Sequence, residues 1–156
     1  MFIRKAQSER ALTEQRHAFE QQLAACRDEL NAIRQHLACI EFSADGVILD
    51  ANARFLALTG YALDEIRGQH HRMFCEPAYR QSELYRKFWE KLGRGEADAG
   101  QYKRIGKGGR EVWIQASYNP ILDPFGKAYK VVKYATDITA SKQAAEALAG
   151  AVAETG

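Results

Sequence analysis

The period of the apolar positions changes twice along the chain. From Gln7 to about Cys39 there is neither glycine nor proline, and good helix formers dominate. Leu12, Phe19, Cys26, Ile33 and Ile40 recur at intervals of seven, and Leu23, Leu30 and Leu37 form a second series offset by four. Such interleaved steps form the narrow seam of a coiled coil, here about three to four heptads long. An amphipathic helix folded back on its own domain is the other reading of the stripe. Arg16 at a seam position predicts fraying toward the N-terminus.

At Ala38 the helical period gives way to a hairpin pattern, with CIEFS and VILDA flanking an Ala44-Asp45-Gly46 turn. Asn52 is placed to cap a short helix that Gly60 ends, and Leu63–Ile66 predicts one more helical turn closed by Gly68. Ser82 caps a helix from Glu83 to Leu92, stopped by Gly93 and Gly95. The last third alternates: Gln101–Ile105, Glu111–Ile121 and Ala128–Asp137 read as strands, separated by Gly106–Gly109 and Asp123–Gly126 turns. Val112, Ile114, Ala116 and Tyr118 fall on one face of the middle strand. From Ile138 an alanine-rich helical pattern runs to the end. Segregated strands and short helices predict an α+β domain with one antiparallel sheet, its short helices on one face. The other face needs a cover, for which the N-terminal helix or a second chain is the candidate. The expected division is a helix over 1–38, a sensor domain over 39–139 and a C-terminal helix over 140–156.

Composition narrows the function classes. The 22 basic and 20 acidic residues are interleaved and leave a net charge of +2, which points away from nucleic acid. Three widely spaced cysteines without a CxxC pair argue for a reducing compartment, without a disulfide scaffold or a structural zinc site. No apolar run approaches the ~18 residues of a membrane span. A cytoplasmic location is the expectation.

Gln69–Trp89 concentrates the candidate chemistry, with His70, His71, Cys75, Phe88 and Trp89 in one stretch. Adjacent histidines on a helix diverge by ~100° and make a poor chelate. Cys75 lies four residues from His71, yet nothing supplies the third group a catalytic pair needs. The chain is therefore read as no enzyme. Lys103, Arg104, Lys107 and Arg110 are read as a solvated hairpin edge.

Phe42–Thr139 resembles a PAS domain, in particular the PAS modules of bacterial methyl-accepting chemotaxis and aerotaxis receptor-like proteins. The carrying residues include Asp45-Gly46, Asp50–Phe55, Gly60-Tyr61, Glu65–Gln69, Phe88-Trp89, Gly108–Trp113, Asn119–Ile121 and Asp137–Thr139. The resemblance implies a PAS fold, a five-stranded antiparallel sheet cupping a pocket beneath short helices, with a signalling helix leaving the last strand. It also implies a dimer whose flanking helices carry a signal to an output domain, with a chemotaxis kinase and coupling protein downstream. The chain is accordingly expected to be the sensory part of a longer protein. Flavin-binding members place an asparagine, a histidine and a tryptophan where this chain has Asn52, His71 and Trp89, so FAD is the implied cofactor. An arginine and a tryptophan frequent in those members are replaced here by Cys75 and Ala99. Haem b, with His71 or His70 as axial ligand, and a pocket holding a metabolite or nothing are the alternatives. A photoreceptor-type flavin adduct is not expected, because Cys75 lies outside the Asn-Cys-Arg-Phe segment it requires. Two functions follow: a redox, oxygen or ligand sensor relaying through helices, or a cofactor-free dimerisation scaffold.

Overall fold

The computed structural model describes residues 1–155. It divides into two units, Met1–His36 and a second unit from Leu37 onward. The first is one uninterrupted helix, α1 (Phe2–His36), with no buried residue. Leu12, Phe19, Leu23 and Ile33 of the heptad stripe are exposed along it. Among the described residues no helix is long and apolar enough to cross a membrane.

The heptad phase stops earlier than the pattern predicts. Leu37 and Ile40 lie outside the helix, because Ala38–Ser43 forms β1 and pairs with the last strand in register from Ala38↔Ala135 to Ser43↔Lys130. Asn52 fixes the crossover point, accepting a hydrogen bond from Cys39 N at 2.9 Å and donating to Leu37 O at 2.9 Å. Backbone pairing thus overrides a side-chain period that continues for one more step.

After β1 come β2 (Ile48–Ala51), α2 (Ala53–Thr59), α3 (Leu63–Ile66), a 3₁₀ turn at His71–Phe74, α4 (Pro77–Arg80) and α5 (Glu83–Gly93). Strands β3 (Asp98–Ile105), β4 (Glu111–Leu122) and β5 (Ala128–Asp137) follow, then α6 (Thr139–Thr155). The five strands form one antiparallel sheet in the order β2-β1-β5-β4-β3. Strand β3 starts at Asp98 rather than Gln101, since the long β4 offers partners as far as Asp98↔Tyr118. The β1–β2 turn requires glycine: Gly46 has φ +95°, and a Cβ there would sit 2.6 Å from His70 Nε2.

The core lies between the sheet and the short helices. Ala38, Ile40 and Phe42 of β1, Val112, Ile114, Ala116 and Tyr118 of β4, and Val131 and Ala135 of β5 are its sheet side. Phe55, Ile66, Phe74, Tyr85, Phe88 and Leu92 cover it from the helical layer. On α5 the buried positions 85, 88 and 92 are one stripe of an amphipathic helix. Lys133, in phase with Val131 and Ala135, and Arg104, paired opposite Val112, point into this same core.

Candidate functional site

The 3₁₀ turn at His71–Phe74 is anchored by an isolated bridge between Val47 and His70, and by His71 N donating to Gly46 O at 2.9 Å. That anchoring sends the adjacent histidines in opposite directions. His70 Nε2 donates to Asp45 O at 2.8 Å, and its Nδ1 accepts from Arg72 N at 3.1 Å. Both ring nitrogens are thereby spent on backbone at the rim. His71 turns inward and is fully buried.

Inside, a polar chain crosses the core. Arg104 Nη2 donates to Tyr118 Oη at 3.1 Å, and Tyr118 Oη lies 3.0 Å from His71 Nε2. Burial pushes the Tyr118 pKa up to about 12, so the hydroxyl keeps its proton and donates it to Nε2. His71 must then carry its own proton on Nδ1, which donates to Tyr85 Oη at 2.9 Å. The neutral ring suits this role: burial, reinforced by Arg104, Lys133 and His70, holds the His71 pKa well below its ordinary value. The network joins β3, β4, the 3₁₀ turn and α5, so sheet and helical wall share one hydrogen-bonded axis. Aromatic edges pack around it, with Phe42 and Trp89 both 5.3 Å from the His71 ring.

Cys75 Sγ lies 3.7 Å from His71 Nδ1, as their four-residue spacing predicts. Burial pushes its thiol pKa up, which leaves it protonated and poorly nucleophilic.

Of the three residues expected to hold a flavin, His71 and Trp89 meet, their rings 5.3 Å apart, whereas Asn52 is engaged elsewhere. Asn52 caps α2 through Phe55 N at 3.0 Å while bridging Leu37 and Cys39, so its amide is committed to backbone. His71 has both nitrogens on tyrosine hydroxyls. Trp89 packs on Phe42 and Phe88, lines an open cleft of about 550 Å³ with His70, and leaves its buried Nε1–H without an acceptor. The interior cavity, walled by Phe55, Phe74, Ile114, Arg104 and Lys133, measures about 10 Å³, room for one water-sized group. Neither FAD nor haem b fits the interior as it is packed, and an axial bond to His70 or His71 would displace an existing hydrogen bond. Replacing Asn52 with alanine is expected to cost about 2–3 kcal/mol, as a cap and two further bonds are lost. Denaturant unfolding without any cofactor measures it. A loss under 0.5 kcal/mol would show that the amide is spare for a ligand.

Sequence reasoning missed the two interior cations. Arg104 does not belong to a solvated hairpin edge: it is only 6% exposed, its guanidinium 4.9 Å from the Tyr102 ring. It is corrected by strand phase, since β3 turns alternate residues inward and Arg104 falls two beyond Tyr102. Lys133 drew no attention and is 1% exposed.

The junction leaving the sheet is also tied. Ile138 N donates to Trp113 O at 2.9 Å, Trp113 N donates to Thr139 Oγ1 at 3.0 Å, and Thr139 N donates to Asp137 Oδ1 at 2.9 Å. The first turn of α6 is thus stitched to β4, with Lys142 4.7 Å above the Trp113 ring.

Comparison with known proteins matches this arrangement. A family model described as the PAS fold covers residues 48–135. The chain belongs to the PAS-fold family. It is 53% identical over 109 residues to the biofilm dispersion protein BdlA of Pseudomonas aeruginosa, a match covering 70% of this chain and 26% of that protein. It is 32% identical over 75 residues to the aerotaxis receptor of Escherichia coli, covering 48% of this chain and 15% of the receptor. The chain thus spans about a quarter or less of these relatives. Among solved structures, a PAS domain from Colwellia psychrerythraea superposes with a TM-score of 0.63 at 19% identity, over 74% of this chain and 98% of that one. A light-oxygen-voltage domain studied with a flavin analogue gives 0.61 at 21% identity, over 83% and 96%. These two likenesses concern the PAS fold alone.

Proposed function

We propose that this PAS domain is the sensory module of a chemotaxis-type transducer. In this reading it detects a small ligand or a redox or oxygen cue in its core, and relays the state through α1 and α6 of a homodimer. The observation that carries the reading is the buried Arg104–Tyr118–His71–Tyr85 chain. A polar axis through a largely apolar core costs desolvation, and it couples sheet to helical wall. The tied Thr139 junction supplies the exit, since a shift of β4 must move the first turn of α6. Similarity to an aerotaxis receptor supports the placement in a longer transducer, whose kinase and coupling protein are further partners in this reading. The small cavity favours a compact ligand over FAD or haem b. A specific observation also favours a second reading: a cavity of one water's volume suits a cofactor-free scaffold that only dimerises.

Cysteine cross-linking tests the relay. Cys26 is exposed on α1, whereas Cys39 and Cys75 are buried, so mild oxidation addresses one site. The expected result is a disulfide-linked dimer whose yield changes when a ligand binds and ceases to respond in Thr139→Val. A monomeric mass at micromolar concentration with no cross-link sinks the relay. A stable dimer that responds to no ligand, with neither flavin nor Soret absorption in the purified protein, selects the scaffold.

A further inference from the structure

His70 joins the β1–β2 turn to the 3₁₀ turn at His71–Phe74, and both of its ring partners are backbone groups with a single role. Asp45 O, 2.8 Å from Nε2, only accepts, and the Arg72 N–H, 3.1 Å from Nδ1, only donates. The ring is therefore held as the Nε2–H tautomer, and its Nδ1 lone pair caps the 3₁₀ turn. A second proton has Nδ1 as its only place, where it would point a donor at a donor. The protonated ring keeps its bond to Asp45 O and loses the one to Arg72 N.

The joint is tightly packed on the side of the core. A Cβ on Gly46 would stand 2.6 Å from Nε2 and 3.0 Å from the Trp89 ring. The His70 ring lies 5.7 Å from Trp89, which also meets His71 at 5.3 Å. His71 follows directly in the chain and holds Tyr85 and Tyr118, so freeing the start of the turn acts on the buried polar chain. Unlike His71, His70 is half-buried and lines the open cleft of about 550 Å³, where solvent protons reach it. Charged groups around that cleft are Asp45 on the β1–β2 turn, Arg72 on the 3₁₀ turn and Arg80 at the end of α4. From α5 come Glu83 and Glu90, both bridged by Arg86, and Tyr85, whose hydroxyl burial keeps neutral. Three arginines thus face three carboxylates, and no net local charge bars the ring from titrating. Burial lowers the His70 pKa from the ordinary 6.5, with the Asp45 bond opposing and Arg72 reinforcing that shift.

We propose that His70 is an acid-sensitive latch: a proton taken up at Nδ1 from the cleft releases the Arg72 N–H, uncaps the 3₁₀ turn and loosens the placement of His71, making acidification an input to this domain. The proposal rests on the sensory reading for its consequence and adds a stimulus to it.

Nuclear magnetic resonance of the whole chain, titrated from about pH 7.5 to about pH 5, tests the latch without any ligand. The expected result is one midpoint below pH 6.5, shared by the His70 ring and the Arg72 amide. At the acid plateau that amide should exchange with solvent roughly tenfold faster or more, once the intrinsic pH dependence of exchange is removed. In His70→Asn the side-chain carbonyl caps the turn at every pH, so the Arg72 step should vanish. An Arg72 amide indifferent to the ring's titration, or a step that persists in His70→Asn, overturns the latch. So does a His70 ring that stays neutral throughout. Should the variant fail to fold, ring and amide in the parent decide by themselves. Cys26 cross-linking separates the latch from the relay, with His70→Asn as the control for thiol reactivity at each pH. The expected yields in parent and variant agree at the neutral plateau and differ at the acid one. Equal yields at both plateaus, with the Arg72 step present, overturn acidification as an input. A yield that responds to a ligand while the Arg72 amide ignores pH removes the latch and leaves the sensor.

Discussion

Replacing His71 with alanine is expected to lower the stability of the folded domain by about 3–5 kcal/mol, a large share of the 5–15 kcal/mol typical of a domain. Two costs combine. The side chain is fully buried, so its removal opens a cavity among Phe42, Phe74, Phe88 and Trp89. It also strands two tyrosine hydroxyls that now hold the ring at 2.9 and 3.0 Å. His71→Phe restores volume without the hydrogen bonds and should lose less, about 2 kcal/mol. Urea unfolding followed by circular dichroism measures both. The pH dependence adds a second signature. Burial, then Arg104, Lys133 and His70, holds the folded pKa well below the ordinary 6.5. Below pH 6.5 the unfolded chain binds a proton that the folded chain refuses, so stability falls as pH drops toward the folded pKa. The slope per proton is about 1.4 kcal/mol per pH unit. His70, also shifted down by burial, contributes in the same direction, so His71→Phe should remove part of the acid slope and leave the rest. An unchanged slope in His71→Phe would mean that the ring is already protonated in the native state.

The fold was legible because its signals are local and mutually consistent. The Asp45-Gly46 turn, the Asn52 and Ser82 caps, the alternation in β4 and the Asp137–Thr139 exit each specify one element, and the structure places each where its chemistry demands. The helix ends at His36, two residues before the expected 38, because Leu37 and Ile40 continue the heptad while the hairpin pattern has already begun. The non-local pairing of β1 with β5, which begins at Ala38, sets the boundary. The site is legible in part: the resemblance singles out His71 and Trp89, while the partners of His71, Tyr85 and Tyr118, lie on elements that only tertiary packing brings to it. Asn52 illustrates the limit: one side chain fits both a cap and a cofactor contact, and three backbone bonds show how it is used. Arg104 and Lys133 were obscured by a general expectation that charged residues face water. Period-two phase contradicts that expectation at both positions, since Lys133 falls between Val131 and Ala135 and Arg104 falls two beyond Tyr102.

Lys133→Met is expected to stabilise the ligand-free domain, on the order of 1–4 kcal/mol at neutral pH. Methionine matches the lysine stem in length and flexibility, so packing against Tyr118 and Phe55 is retained while the stranded ammonium disappears. The pH profile gives the sign independently. Burial, then Arg104, holds the Lys133 pKa well below its ordinary 10.5. Between the folded value and 10.5 the unfolded chain binds the additional proton, so stability rises with pH across that window. Below the folded value the destabilisation is complete, and above 10.5 it vanishes. The methionine variant should therefore gain most on the acid side of the window and converge on the parent toward pH 10.5. Chemical denaturation at several pH values in carboxylate-free buffer measures the profile. A variant less stable than the parent at neutral pH would show that the charge already has a stabilising partner.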